Sequence, residues 1–218
     1  MSTEIPLPEV PAPLSGIEAR ILGCLIEKEA TTPEAYPLTA NSLLLACNQK
    51  NNREPVMELE PGAVGHALRE MEDKRLVRSE HGARADRYEH RFTQAYSVTA
   101  QQQAILSVML LRGPQTVVEL LTRCERLAKF QGAEEIRAVL ERLMQRTPAL
   151  VVNLGRAAGQ REDRYMHLLA GPVSAEQFAS ARPAPARERT SLESRLDALE
   201  ATVEALRQEL DALRGRID

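Results

Sequence analysis

The chain has 218 residues, with 28 Lys+Arg against 31 Asp+Glu, 43 % hydrophobic residues, 3 % aromatics and no Trp. That length allows one large domain or two small ones, each able to bury a core without metal or disulfide staples. So few aromatic residues argue against a stacking platform for single-stranded nucleic acid, and no apolar stretch is long enough for a membrane span.

Met1 to Leu14 is acidic and Pro-rich and lacks the basic start and apolar run of a signal peptide, so residues 1–14 are expected to form a disordered N-terminal arm on a cytoplasmic protein. Ser15-x-x-Glu18 is a capping box, and Ile17, Ile21 and Leu25 set a helical apolar stripe to about Glu29. After a loop with Pro33 and Pro37, a second helix is expected from near Thr39, carrying Leu43, Leu44 and Cys47. Pro61 opens a third helix that ends near Lys74. The periodicity then changes. Leu76-Val77-Arg78 and Tyr88-Glu89-His90-Arg91-Phe92, on either side of His81-Gly82-Ala83, predict two short strands.

The same grammar follows again. Thr99-x-x-Gln102 opens a helix to Arg112, Gly113-Pro114 breaks it, and Thr116-x-x-Glu119 opens a helix to about Phe130. A third helix is expected from about Ala133 to Arg146, then a hairpin of Leu150 to Leu154 and Arg164 to Leu169. Ile21-Leu22-x-x-Leu25-Ile26 returns as Ile105-Leu106-x-x-Met109-Leu110, and Val64-x-x-Ala67-Leu68-x-x-Met71 as Ile136-x-x-Val139-Leu140-x-x-Leu143. Arg84-Ala-Asp86-Arg87-Tyr88-Glu-His90 reappears as Arg161-Glu-Asp163-Arg164-Tyr165-Met-His167, and five of the seven positions are identical. The chain reads as a tandem duplication.

Three helices and a β-hairpin make the winged-helix arrangement, in which helices two and three form a helix-turn-helix. The expected fold class is α+β and mainly helical, with one winged-helix domain over residues 15–94 and a second over 95–170; other α+β topologies are the alternative. Residues 171–190 read as a Pro/Ala linker. Beyond it Leu192, Leu196, Leu199, Val203, Leu206, Leu210, Leu213 and Ile217 are spaced 4-3-4-3-4-3-4, the pattern of a coiled-coil helix over 191–218. Arg195 with Glu200 and Glu209 with Arg214 would attract across a parallel pair, so a homodimer is expected; the competing arrangement folds this helix back on its own chain.

Catalytic motifs are nearly absent: there is no Gly-rich phosphate loop, no H-E-x-x-H, no G-x-S-x-G and no paired Cys with zinc spacing. The sequence therefore predicts no enzyme, no cofactor and no metal. Cys24, Cys47 and Cys124 sit among apolar residues and are expected in the core rather than in redox chemistry.

Residues 15–94 carry 11 basic and 13 acidic side chains and residues 95–170 carry 10 and 7, so the second copy is mildly basic. Candidate nucleic-acid contacts in the first copy are Lys50 and Arg53 in the polar loop after helix two, and Arg69, Lys74, Arg75, Arg78, Arg84 and Arg87 on helix three and the hairpin. In the second copy they are Arg137 and Arg142 on helix three and Arg156, Arg161 and Arg164 on the hairpin. The bland alternatives are a solvated charged face, ion pairs within Asp86-Arg87 and Asp163-Arg164, and a loop that uses Asn for its backbone angles.

Cys47-Asn-Gln-Lys-Asn-Asn-Arg-Glu-Pro-Val-Met57, Tyr88-Glu-His-Arg-Phe92, Leu111-Arg-Gly-Pro-Gln-Thr116 and Arg164-Tyr-Met-His-Leu-Leu169 resemble the signatures of the YceH-like family of uncharacterised bacterial proteins. The resemblance spans about residues 14–170, with Met166 and Ala128 departing from the pattern. It implies a tandem winged-helix fold in the bacterial cytoplasm and no particular activity. The function expected is binding of duplex DNA as a regulator; the rival is a module that docks a protein partner without touching DNA, for which the acidic third helix of copy one speaks.

Overall fold

Side-chain caps open four of the seven α-helices among the described residues. The computed structural model describes residues 12–82, 85–156 and 160–173, all within the first of two compact units, residues 1–175 and 176–218. The expected linker beyond Val173, the heptad positions from Leu192 to Ile217, and Arg84 lie outside the described residues. Helix α1 (Gly16–Thr31) starts at Ser15, whose hydroxyl accepts from the Glu18 amide while the Glu18 carboxylate accepts from the Ser15 amide. Helix α5 (Ala100–Arg112) uses Thr99 and Gln102 in the same way, and α6 (Val117–Cys124) uses Thr116 and Glu119. Helix α2 (Ala40–Cys47) is capped by Thr39 alone, and α3 (Pro61–Asp73) begins on its proline. Each such cap is worth about 1 kcal/mol.

The remaining described elements are β1 (Leu38–Thr39), β2 (Val77–Glu80), β3 (Arg87–His90), α4 (Phe92–Tyr96), α7 (Ala133–Met144), β4 (Val151–Gly155) and β5 (Arg164–His167). The chain is thus α+β, with seven α-helices, a short 3-10 turn at Pro33–Ala35 and two small antiparallel sheets among the described residues, in the orders β1-β3-β2 and β4-β5. Three helices and a hairpin occur twice. In the first half Leu38 faces Tyr88 across β1 and β3; in the second, Gln115 bridges Tyr165 at the matching place, with reciprocal backbone hydrogen bonds of 2.9 and 2.8 Å.

Two expected boundaries differ. Phe92, expected at the end of a strand, opens α4, because the Phe92 and Tyr96 rings pack 4.8 Å apart as an i, i+4 pair over the core. The second helix of the second half stops at Cys124 rather than near Phe130, where the Leu127 and Ala128 amides both turn back onto the Cys124 carbonyl.

The two halves share one apolar core. Ile21, Leu22 and Leu25 of α1 and Ile105, Leu106 and Met109 of α5 are fully buried in it. α1 approaches α5 closely at Gly23: a Cβ there would lie 2.8 Å from Leu111 Cγ and 3.2 Å from Leu110 Cβ, and the Gly23 carbonyl accepts from the Ser107 hydroxyl. The backbone seals the same seam, with the Leu14 amide donating to the Leu169 carbonyl and the Glu54 amide to the Leu111 carbonyl. Leu14, the last residue of the expected arm, is therefore seated in the core. Cys24, Cys47 and Cys124 are free thiols buried in it as well.

Candidate nucleic-acid interface

Much of what is charged in this sequence works inside the protein. The Arg53 side chain is fully buried; its Nη2 and Nη1 meet the two Glu27 carboxylate oxygens at 2.6 and 3.2 Å, and its Nε donates to the Ala46 carbonyl. Arg20, also buried, donates to the carbonyls of Cys47 and Pro55. Asn48 spans the same loop, accepting from the Leu59 amide and donating to its carbonyl. The polar stretch between α2 and α3 is therefore braced from within, and Arg53 has no donor to spare. Lys50 points outward from it and is exposed.

Lys74 is committed too, donating at 2.6 Å to the buried Glu18 carboxylate. Burial alone would raise the Glu18 pKa, but Lys74 and the Ser15 amide outweigh it and hold the group below the usual carboxylate value. Arg164 is mostly buried and clamps Glu119 at 2.9 Å, the Pro114 carbonyl at 2.9 Å and Gln160. Arg87 holds the equivalent place in the first half, donating to the Pro37 carbonyl at 2.8 Å. The repeated Arg-Tyr step thus ties each hairpin to the residues ahead of its second helix. The neighbouring aspartates do not pair with these arginines: Asp86 meets His81, and Asp163 meets Arg156 and Asn153.

Most of the remaining third-helix and hairpin arginines gather in two places. In the first half Arg75, Arg78 and Arg91 line an open hollow of about 400 Å³ with Glu72, Val77 and Ser79, and Arg78 and Arg91 both lean on Glu89 at 3.8 and 3.1 Å. Glu72 also accepts from the Ser79 amide. Arg69 lies on the exposed face of α3 beside His66, Glu70 and Asp73, and His66 is 3.5 Å from Glu70.

In the second half Arg137 of α7 and Arg156 and Arg161 of the β4–β5 loop line one hollow of about 270 Å³ together with Val117, Tyr165, Glu162 and Asp163. Arg137 pairs with Glu134 one turn earlier, both exposed, and Arg156 is 3.2 Å from Asp163. Arg161 has no ion pair among the described residues. Surface pairs of this kind are worth about 0–1 kcal/mol, so a phosphate can displace them. Tyr165, half-buried, has its phenol pKa raised by burial first and then by Asp163. Arg142 stands outside the hollow and donates back to the Ala138 carbonyl. Tyr165 is the site residue that the expected contacts leave out; its signal was the repeated Arg-Tyr step.

The halves have diverged where it matters. When Val64 is matched to Ile136 by the repeat, Gly65 and Glu70 of α3 stand where α7 has Arg137 and Arg142. The two third-helix arginines are a property of the second half, and they stand beside Glu134 and Glu141 on the same exposed face.

The family model "Protein of unknown function, DUF480" matches residues 14–160. The chain belongs to the DUF480/UPF0502 family of bacterial proteins. A UPF0502 protein of Mesorhizobium japonicum is 52 % identical over 199 residues, covering 91 % of this chain and 92 % of the relative. Another from Xanthomonas campestris pv. campestris is 53 % identical over 192 residues, covering 87 % and 86 %. A third from Pseudomonas aeruginosa is 52 % identical over 202 residues, covering 90 % of each chain. Among the described residues of this family member no helix is long and apolar enough to cross a membrane, and no three His, Cys, Asp or Glu side chains cluster to hold a metal ion.

Proposed function

We propose that this chain is a non-enzymatic, cytoplasmic DNA-binding regulator made of two tandem winged helices, residues 15–94 and 95–170, as the resemblance to YceH-like proteins implies. The second half makes the principal contact with duplex DNA. The observation that carries this is the meeting of Arg137, Arg156 and Arg161, from a helix and a hairpin, at one hollow beside Tyr165. Arginines presented together from a third helix and a wing match the way such folds reach backbone phosphates and groove edges. Arg75, Arg78 and Arg91 supply a weaker second contact, tempered by Glu72 and Glu89. The heptad pattern from Leu192 to Ile217 would pair two copies and so present two such surfaces.

Fluorescence anisotropy of the full chain with a random-sequence duplex tests the proposal. Affinity that falls steeply between low and near-physiological salt supports it, because phosphate contacts release counterions. No binding at low salt refutes it and favours the second reading, a protein-docking module. That reading draws on the exposed Glu70 and Asp73 of α3, which face phosphates badly.

A further inference from the structure

A third basic hollow belongs to neither hairpin. The C-terminal end of α1, the braced loop after α2 and the turn after α6 enclose an open space of about 420 Å³ at the seam between the two halves. Lys28 stands on its first wall, Lys50 on the second and Arg126 on the third. Among the described residues none of the three is ion-paired. The one carboxylate on the lining, Glu27, is neutralised from behind by the buried Arg53. The carbonyls that end α1 are also answered: Thr31 and Thr32 donate their hydroxyls to the Glu27 and Lys28 carbonyls at 2.8 and 3.1 Å. Three cations therefore face one polar space whose own negative charges are already met.

We infer that this hollow is a binding site for a small phosphate-bearing anion, separate from the proposed DNA contact and independent of it. Lys28, Lys50 and Arg126 supply charge from three directions, and the Gln49 and Asn51 amides supply neutral donors beside them. The space is of the size that takes a small metabolite rather than a bare ion. The loop that carries Lys50 does not need to order itself on binding, because Asn48, Arg53 and Arg20 fix its backbone from beneath. Such preorganisation lowers the entropic cost of capture. Since Lys28 and Lys50 come from the first half and Arg126 from the second, an occupied site links the halves across their seam.

The probe is pyrophosphate, titrated into the full-length protein by isothermal calorimetry at low ionic strength, with sulfate at matched ionic strength as the control anion. Saturable pyrophosphate binding is expected, weakened about tenfold or more by Lys50→Ala and by Arg126→Ala, the scale of one charge-assisted hydrogen bond. Arg137→Ala, in the other hollow, is expected to leave pyrophosphate binding unchanged while weakening duplex binding. Affinity unchanged in both Lys50→Ala and Arg126→Ala overturns the inference. Equal loss in Arg137→Ala, or sulfate binding as tightly as pyrophosphate, overturns it as well, since either result would mean general charge attraction. If the hollow instead takes backbone phosphate, the parent protein shows no saturable pyrophosphate signal while Lys50→Ala reduces the salt dependence of duplex binding, and that result also refutes it.

Discussion

Replacing Arg53 with Ala separates a structural arginine from a nucleic-acid contact. Its side chain is fully buried against a Glu27 that is itself only 18 % exposed, and it also answers the Ala46 and Asn52 carbonyls and Gln49. Removing one partner of a buried ion pair costs about 3–5 kcal/mol, and the edge of Glu27 that reaches water points to the lower end. At about 2–4 °C per kcal/mol for a domain of this size, Arg53→Ala should melt about 6–12 °C below the parent. Thermal unfolding followed by far-UV circular dichroism at neutral pH reads this directly. Arg53→Met with Glu27→Met should recover much of the loss, because the second substitution removes the stranded charge. A melting temperature within a degree of the parent's, or a shallower salt dependence of duplex binding in folded Arg53→Ala, would refute the structural role.

Three further outcomes are expected. Gly23→Ala places a Cβ 2.8 Å from Leu111 Cγ at the α1–α5 crossing and should cost about 1–3 kcal/mol by overpacking, measured by urea denaturation; an unchanged midpoint would show that the seam yields. His167 is buried with its Nδ1 unpartnered, and burial pushes its pKa down from 6.5 to about 4. The unfolded chain takes up that proton first, so stability should be level above about pH 6.5 and fall by up to about 3 kcal/mol toward pH 4. His167→Leu should remove that part of the acid loss, and parallel pH profiles for parent and variant would count against it. Deleting residues 188–218 should convert a dimer to a monomer by light scattering while the helical core still melts cooperatively; a truncated chain that stays dimeric would place the interface in the helical halves.

The local grammar of the fold was legible because its signals are local. Ser15 with Glu18, Thr99 with Gln102 and Thr116 with Glu119 are capping boxes three residues long, and each closes as its spacing implies. The duplication showed in the same way, since the repeated Arg-Tyr step does the same work on Pro37 and Pro114. Strand β1 was not legible: it is two residues long and exists only through pairing with β3, some fifty positions on. The candidate site was read less well for a related reason. Arginine looks alike in sequence whether it ends in solvent or in the core. Arg53 and Arg164 spend their donors on partners brought close by tertiary packing, whereas Arg137, Arg156 and Arg161 meet only when hairpin and helix are folded together.

The most direct test of the account is the salt dependence of duplex binding by the parent beside Arg137→Ala/Arg156→Ala/Arg161→Ala, with folding of the variant checked by its melt. Each phosphate contact contributes a slope of about 0.9 in log K against log salt, so the triple variant should be shallower by about 2 to 3. A folded triple variant with the parent's affinity and slope would contradict the claim that the second half carries the DNA contact.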